Sequence, residues 1–223
     1  MSAKLNLSRV HFPVTALGPG RRLGIWFQGC SIRCEGCISA DTWGPGRHST
    51  TVAQLLEYAE PWLEEASGIT ISGGEPFDQP DALIELLTEL TRHPDLDILI
   101  YSGYSIEQLT PSLKRTHGLI DALISDPFDQ QKPQSMVLRG SDNQRLTLLT
   151  VLGRERFMAF ERPLQPEDKT LDLMLDEDGT VWMAGIPRRD DLTRLRDLLR
   201  EQGHQLQISA DTAAHTSHGA PTT

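Results

Sequence analysis

Short apolar runs alternate with helically periodic stretches along the first half of the chain. Four runs have the length and composition of buried strands, at 23–27, 69–72, 96–101 and 119–124. Between them, apolar residues recur every three or four positions, which is typical of one helix face. Thr50 or Thr51 should cap the first helix and Asp78 the second, and the pattern over 106–113 predicts a third helix. This repeat predicts an α/β fold, a parallel sheet with helical crossovers.

The pattern changes after Pro127. We expect a strand at 145–151, a hairpin built from 171–175 and 181–183, and a final helix that stops at Gly203. The sequence leaves open whether this half completes the main sheet or forms a small lobe. We divide the chain into a core over 1–151, a C-terminal extension over 152–209 and a disordered, small and polar tail over 210–223.

Composition and charge exclude several classes of protein. The 223 residues carry 21 Lys and Arg against 31 Asp and Glu, a net charge of −10, which disfavours a nucleic-acid partner. No apolar run approaches the ~20 residues that a membrane span needs. The N-terminus lacks the apolar core of a signal peptide. We therefore expect a cytoplasmic protein that binds neither membranes nor nucleic acid.

The cysteines are the most informative residues. There are three, Cys30, Cys34 and Cys37, in the spacing C-x3-C-x2-C. A disulfide framework would spread cysteines along the chain, and a structural zinc site usually takes four ligands. Three thiolates in one loop favour an iron–sulfur cluster with one position left open. A thioredoxin-like redox pair or half of a zinc site is the alternative for the C-x2-C part alone.

Two further segments follow predicted strands. Gly73-Gly74-Glu75 comes after the second strand and Ser102-Gly103-Tyr104 after the third. Ligands bind at the carboxyl ends of parallel strands, so both segments should share a site with the cysteines. The glycines would expose backbone groups to a ligand, and Glu75 would accept from an ammonium group. An ordinary Gly-Gly turn is the alternative.

The cysteine motif followed by Gly-Gly-Glu resembles the radical S-adenosylmethionine superfamily. Within it the chain is most similar to the activating enzymes of glycyl-radical enzymes, above all those of anaerobic ribonucleoside-triphosphate reductase. Further stretches that match this branch are Gly36 before the third cysteine, 18–22, 102–104, 126–128 and 138–145. Leu17 and Ser125 depart from its pattern.

The resemblance implies a fold, cofactors and binding residues. The fold would be a partial (βα) barrel. Cys30, Cys34 and Cys37 would bind a 4Fe–4S cluster; Gly73, Gly74 and Glu75 would bind the ammonium of S-adenosylmethionine; Ser102, Gly103 and Tyr104 would line the adenosyl side. Reductive cleavage of the sulfonium would give methionine and a 5′-deoxyadenosyl radical. No side chain is assigned a catalytic role.

Three functions follow from this reading. The first is an oxidoreductase that installs a glycyl radical on a partner enzyme such as anaerobic ribonucleotide reductase, with electrons from a low-potential donor such as flavodoxin or ferredoxin. The second is a radical enzyme that acts directly on a peptide or small molecule. The third is a non-catalytic iron–sulfur or zinc sensor, in which Gly-Gly-Glu would have no purpose. The absence of cysteines outside 30–37 counts against peptide-modifying relatives with auxiliary clusters.

Four other residues have two readings each. Trp43 would either shield a cluster or belong to the core. Arg139 and Arg145 would either bind a carboxylate, such as a partner's acidic loop, or be ordinary surface arginines. Asp126 would either orient a ribose hydroxyl or cap a turn.

Overall fold

A seven-stranded sheet is the centre of the computed structural model, which describes residues 2–46, 49–175, 180–188 and 191–204. Its strands are β1 (Lys4–Val14), β2 (Arg22–Phe27), β3 (Ser49–Thr51), β4 (Gly68–Gly73), β5 (Asp97–Tyr101), β6 (Ala122–Ser125) and β7 (Arg145–Leu148). The strand order is β3-β1-β2-β4-β5-β6-β7. Strands β2, β4, β5 and β6 are parallel, whereas β1, β3 and β7 are antiparallel to their neighbours.

Helices connect the parallel strands. They are α1 (Val52–Leu63), α2 (Pro80–Leu90) and α3 (Ile106–Arg115), followed by α4 (Val151–Phe157) and α5 (Asp191–Glu201). Thr51 caps α1 and Ser105 caps α3, each in a reciprocal capping box. The predicted α/β class with a parallel sheet and helical crossovers is confirmed. The sheet is open, with β3 and β7 at its edges, as a partial barrel requires.

Several predicted boundaries are wrong for local reasons. Asp78 ends a short 3-10 turn, and Gln79 is the residue that precedes α2. The strand expected from residue 119 begins at Ala122, because the preceding residues form a turn in which the Leu119 N–H donates to the Thr116 carbonyl over 3.0 Å. Pro61, a residue expected to end or kink the first helix, lies inside α1, which continues to Leu63.

The second half of the chain both completes the sheet and builds a separate hairpin. β7 pairs with β6, but the chain then turns into α4, where Thr150 accepts from the Gly153 N–H over 2.9 Å. Phe157 of α4 is fully buried against β5 and β6. The hairpin consists of β8 (Leu171–Leu175) and β9 (Val181–Gly185). Its turn at 176–179 and the predicted tail at 210–223 lie outside the described residues.

A buried ion pair joins the amino ends of three parallel strands. The Arg22 guanidinium donates to Asp97 over 2.6 Å, to the Thr70 hydroxyl over 2.7 Å and to the Ile69 carbonyl over 2.7 Å. Arg22 and Asp97 are 0% and 1% exposed. Gly68 leaves room for this pair, since a Cβ there would lie 2.5 Å from the guanidinium. The network aligns β2, β4 and β5, and so places their carboxyl ends side by side.

The main apolar core fills the space between the sheet and α1 and α2, with leucines from both helices packed on β2, β4 and β5. Among the described helices, none has the length and apolarity that a membrane crossing needs.

Candidate active site

The three cysteines lie on a loop that leaves the carboxyl end of β2. Backbone hydrogen bonds hold this cysteine loop (residues 28–39): the Gly29 N–H donates to the Thr42 carbonyl over 2.7 Å, and the Cys30 N–H donates to the Trp43 carbonyl over 3.2 Å. Gly36, just before the third cysteine, has a φ of +75°, a conformation that favours glycine. This left-handed backbone conformation of Gly36 lets the loop turn sharply before Cys37.

The Gly73–Glu75 turn is hydrogen-bonded directly to the cysteine loop. The Gly74 N–H donates to the Phe27 carbonyl over 2.8 Å, and the Glu75 N–H donates to the Gly29 carbonyl over 2.8 Å. A Cβ on Gly74 would lie 2.0 Å from the Gly29 oxygen. Glycine is therefore required at position 74, because the cysteine loop and the Gly73–Glu75 turn approach each other so closely. The sequence alone did not show that these two segments are in contact.

The Glu75 carboxylate is buried and holds the next turn in place. It is 1% exposed and accepts from the Ser102 hydroxyl over 2.9 Å, the Gly103 N–H over 2.9 Å and the Phe77 N–H over 3.1 Å. A carboxylate has about four acceptor positions, so one, on Oε2, is left for a ligand. Burial raises the Glu75 pKa to about 7.

Ser102 and Gly103 line the same cavity as the cysteines, whereas Tyr104 does not belong to its lining. The Tyr104 hydroxyl is 2.8 Å from Asp78 and 2.9 Å from the Ser31 hydroxyl, and Asp78 also accepts from the Ser31 N–H over 2.8 Å. Tyr104 thus ties the cysteine loop to the start of α2 and of α3. The adenosyl-lining role that the resemblance implies for Tyr104 stays a prediction.

The cysteine thiols are desolvated. Burial raises the pKa of all three, that of Cys37 to about 11. The Trp43 indole N–H acts in the opposite direction and offsets part of this rise in the Cys37 pKa. Trp43 is half-buried, lines the cavity and belongs to none of the apolar clusters of the described residues, so that its shielding of a cluster stays a prediction.

This donor set fits an iron–sulfur cluster better than a single ion. Within the described residues, no three His, Cys, Asp or Glu side chains are grouped to hold one metal ion. A zinc ion would require its ligands to converge on one point, whereas in a 4Fe–4S cluster each thiolate binds a different iron. Three thiols spread along one loop beside a cavity match the second arrangement.

The carboxyl ends of the parallel strands open into a cavity of about 1100 Å³. This volume is slightly above the ~300–1,000 Å³ typical of ligand pockets. Its lining includes all three cysteines, Gly73, Gly74, Glu75, Ser102, Gly103, Trp43, Phe128, four glutamines (Gln130, Gln131, Gln134 and Gln144) and residues 183–188 of the hairpin region. The glutamines and the hairpin residues were not predicted as site residues.

The two candidate arginines are engaged within the chain. Arg145 donates to Asp126 over 2.7 Å and to both oxygens of Glu107 over 2.8 Å. Arg139 is 4% exposed and donates to Glu161, so it is not an ordinary surface arginine. Neither lines the large cavity. Asp126 has a φ of +83°, and its carboxylate holds Arg145 in place.

Comparisons with known proteins agree with this geometry. The family model "4Fe-4S single cluster domain" matches residues 16–147. The anaerobic ribonucleoside-triphosphate reductase-activating proteins of Enterobacteria phage T4 and Escherichia coli K12 are 28% and 30% identical to it, over 64% and 60% of this chain and 93% of their own length. The pyruvate formate-lyase-activating enzyme of Listeria monocytogenes is 41% identical over 37% of this chain and 36% of its own.

The crystal structure of QueE from Escherichia coli aligns with a TM-score of 0.39 and 18% identity, over 46% of this chain and 54% of that chain.

Proposed function

Because the chain belongs to the 4Fe–4S single cluster domain family and, within it, to the radical S-adenosylmethionine activating enzymes of glycyl-radical proteins, we propose that it installs a glycyl radical on an anaerobic ribonucleotide reductase. Enzymes of this family use a 4Fe–4S cluster and S-adenosylmethionine. The activities of the relatives support the choice of partner. The observation that supports the cofactor chemistry is the hydrogen-bonded pairing of the cysteine loop with the Gly73–Glu75 turn at the cavity wall.

Cys30, Cys34 and Cys37 would hold the cluster. When bound, the cluster would supply the one electron that cleaves a carbon–sulfur bond of S-adenosylmethionine, and the 5′-deoxyadenosyl radical would take a hydrogen atom from the partner's glycine. The thiols must lose their protons to bind iron, and burial raises their pKa; assembly would therefore release protons and be favoured at higher pH.

The neighbouring residues would bind and orient S-adenosylmethionine. The free position on Glu75 Oε2 and the backbone of Gly73 and Gly74 would accept from the ammonium group, a charge-assisted contact. Ser102 and Gly103, which Glu75 holds in place, would line the adenosyl side. We assign Tyr104 a positioning role, since its hydroxyl fixes the cysteine loop through Ser31 and Asp78.

A low-potential flavodoxin or ferredoxin of the cytoplasm would deliver the electron. Arg33 and Glu35 flank Cys34 and are exposed, so the loop that carries the cysteines reaches the protein surface. A docked donor would therefore approach the cluster without entering the cavity.

The test is anaerobic reconstitution with iron and sulfide, followed by S-adenosylmethionine, dithionite and the anaerobic ribonucleotide reductase of the same genome. We expect 5′-deoxyadenosine and a glycyl-radical signal in the electron paramagnetic resonance spectrum of the reductase. Cys34→Ala should abolish both. Formation of 5′-deoxyadenosine without any glycyl radical on the reductase would instead favour a radical enzyme that acts directly on another substrate. If no 5′-deoxyadenosine forms, a non-catalytic sensor is favoured.

A further inference from the structure

The C-terminal hairpin places a tryptophan beside the core strands. Trp182 lies in β9, beyond the segment that the family model matches, which ends at residue 147. The phage and Escherichia coli relatives are matched over 93% of their own length, which leaves them little chain for a counterpart of this hairpin. The hairpin is fixed to the core, because Asp172 accepts from the Thr15 N–H over 2.7 Å and from the Ala16 N–H over 2.8 Å. Trp182 is therefore a fixed addition to the matched core.

Arg9 lies between this tryptophan and a tryptophan of the core. Its guanidinium carbon is 4.7 Å from the centre of the Trp182 ring and 5.3 Å from the centre of the Trp26 ring. Arg9 and Trp26 are directly opposite each other where β1 pairs with β2, and the Arg9 side chain is 10% exposed. A cation is attracted to the face of an aromatic ring, more strongly when water is excluded. The two rings therefore restrict the guanidinium to one place.

The guanidinium that the rings hold is paired with Asp41. Arg9 Nη1 donates to Asp41 Oδ2 over 2.7 Å. Asp41 belongs to the short 3-10 turn Ala40–Thr42, which directly follows the cysteine loop. Ser39, which precedes this turn, makes no side-chain capping hydrogen bond. The ion pair therefore supplies a connection between the turn and β1 that a cap does not provide.

The turn and the residue after it hold the start of the cysteine loop. The Thr42 carbonyl accepts from the Gly29 N–H over 2.7 Å, and the Trp43 carbonyl accepts from the Cys30 N–H over 3.2 Å. Gly29 is also held through its own carbonyl, which accepts from the Glu75 N–H over 2.8 Å. The first cysteine thus has two supports, the Gly73–Glu75 turn and the segment that Asp41 ties to Arg9.

We propose that Arg9 and Trp182 are positioning residues, which brace the cysteine loop through Asp41 and keep Cys30 in place for the cluster. The inference rests on the proposed function, because it concerns the cluster that the three cysteines would hold. It gives the hairpin a role beyond forming a wall of the cavity. Neither residue contacts the cysteines in this account; each acts through the next contact in the series.

Release of iron from the reconstituted full chain measures the brace. A ferrous chelator is added anaerobically, and the loss of the cluster's visible absorbance is followed. Trp182→Leu and Arg9→Met should each release iron about tenfold faster, the effect of losing one desolvated contact between a cation and a ring. Arg9→Lys keeps a cation between the rings and should restore most of the slow release. The double variant should be no faster than Arg9→Met, because both residues act in one series.

Arg21→Met is the matched control for the loss of an arginine that lies on a ring. Arg21 is 4.9 Å from the centre of the Phe12 ring and pairs with Glu65 over 3.3 Å. Phe12 belongs to β1 and Glu65 follows α1, so this arginine has the same kinds of contact in another place. Iron release from Arg21→Met should equal that of the unaltered protein.

Leu90→Ala separates the brace from a general loss of stability. Leu90 is 2% exposed and is the last residue of α2, in the stretch that leads to the amino end of β5. Its truncation lowers the free energy of unfolding at the end of the sheet away from the cysteines. Urea unfolding confirms that loss, and iron release should stay slow.

Hydrogen exchange of the same reconstituted proteins locates the effect in the chain. The amides of Gly29 and Cys30 donate to the segment that the brace holds, so they should exchange by local opening. Mass spectrometry of the peptide that contains them should show exchange about tenfold faster in Arg9→Met and in Trp182→Leu, as for iron release. The same peptide in Leu90→Ala should exchange at the rate of the unaltered protein.

The outcomes separate this inference from the proposed function. If Arg9→Met releases iron as slowly as the unaltered protein, or if Leu90→Ala releases it as fast as Arg9→Met, the brace is wrong and the proposed function stands. If the unaltered protein takes up no iron, both are wrong.

Discussion

Two backbone hydrogen bonds join the cysteine loop to the Gly73–Glu75 turn, and Glu75 passes the connection on to Ser102 and Gly103. Each motif was visible in the sequence because of its glycines and its cysteines. Their mutual contact was not, because it depends on strands β2, β4 and β5 lying side by side. The same contact gives Gly74 and Glu75 structural roles, which can be tested through cluster assembly and the free energy of unfolding, without S-adenosylmethionine.

Gly74→Ala should prevent the cysteine loop from assembling a cluster. The new Cβ would lie 2.0 Å from the Gly29 oxygen, which forces the loop away from the turn. We expect iron and sulfide content after anaerobic reconstitution to fall to a small fraction of that of the unaltered protein. Gly44→Ala is the control, since a Cβ there meets nothing within 4 Å. Equal iron content in the Gly74 variant would show that the close approach is unimportant.

Glu75 should make the cluster-free protein less stable as the pH rises. Its pKa is about 4.5 when exposed and about 7 when buried in the fold, so the folded state binds more protons between these values. The stabilisation is complete below about pH 4.5 and is lost as the pH rises through about 7. The total change is at most about 3 kcal/mol.

Urea unfolding of the cluster-free protein across this pH range measures the effect. Glu75→Gln, which cannot titrate, should show a weaker decline in the free energy of unfolding. A decline of the same size in both proteins would show that another group is responsible.

At the scale of elements, strands buried on both faces were the ones that the sequence predicted well. β2, β4 and β5 are mostly apolar, and all were located within one or two residues. β1 was missed because it is half-buried, with irregular register against β2, so no regular alternation marks it. α4 was missed because this short helix follows β7 after only two residues, Leu149 and the capping residue Thr150.

Arg22→Met should destabilise the protein strongly. It leaves the Asp97 carboxylate buried without its cation, a loss of about 3–5 kcal/mol in the free energy of unfolding. Arg21→Met is a matched control, because Arg21 is exposed and its pair with Glu65 at 3.3 Å contributes about 0.5 kcal/mol. Denaturant unfolding midpoints compare the two. Similar midpoints for both variants would show that the buried pair does not hold the strand ends together.

At the scale of the whole molecule, the sequence predicted where the site lies, but not which segments form the walls of its cavity. The carboxyl ends of parallel strands place the cysteines, Gly73–Glu75 and Ser102–Gly103 together, as expected. The wall formed by 183–188 depends on contacts such as Asp172 with Thr15, more than 150 residues apart in sequence. No periodicity or motif in the chain reports a contact of that kind.

The cavity partly shields its contents from solvent, which suits radical chemistry, because a radical must meet its intended hydrogen donor before solvent or oxygen. The extension supplies part of that enclosure in this chain, and the division into a core and an extension stays a prediction. What the whole account requires is a cluster held at three corners, with its fourth iron free for S-adenosylmethionine.

Mössbauer spectroscopy of protein reconstituted anaerobically with ⁵⁷Fe tests this requirement most directly. The account predicts a 4Fe–4S cluster in which the signal of one iron changes when S-adenosylmethionine is added, while the other three stay the same. A cluster whose irons are all unaffected by S-adenosylmethionine, or protein that takes up no iron, would contradict it.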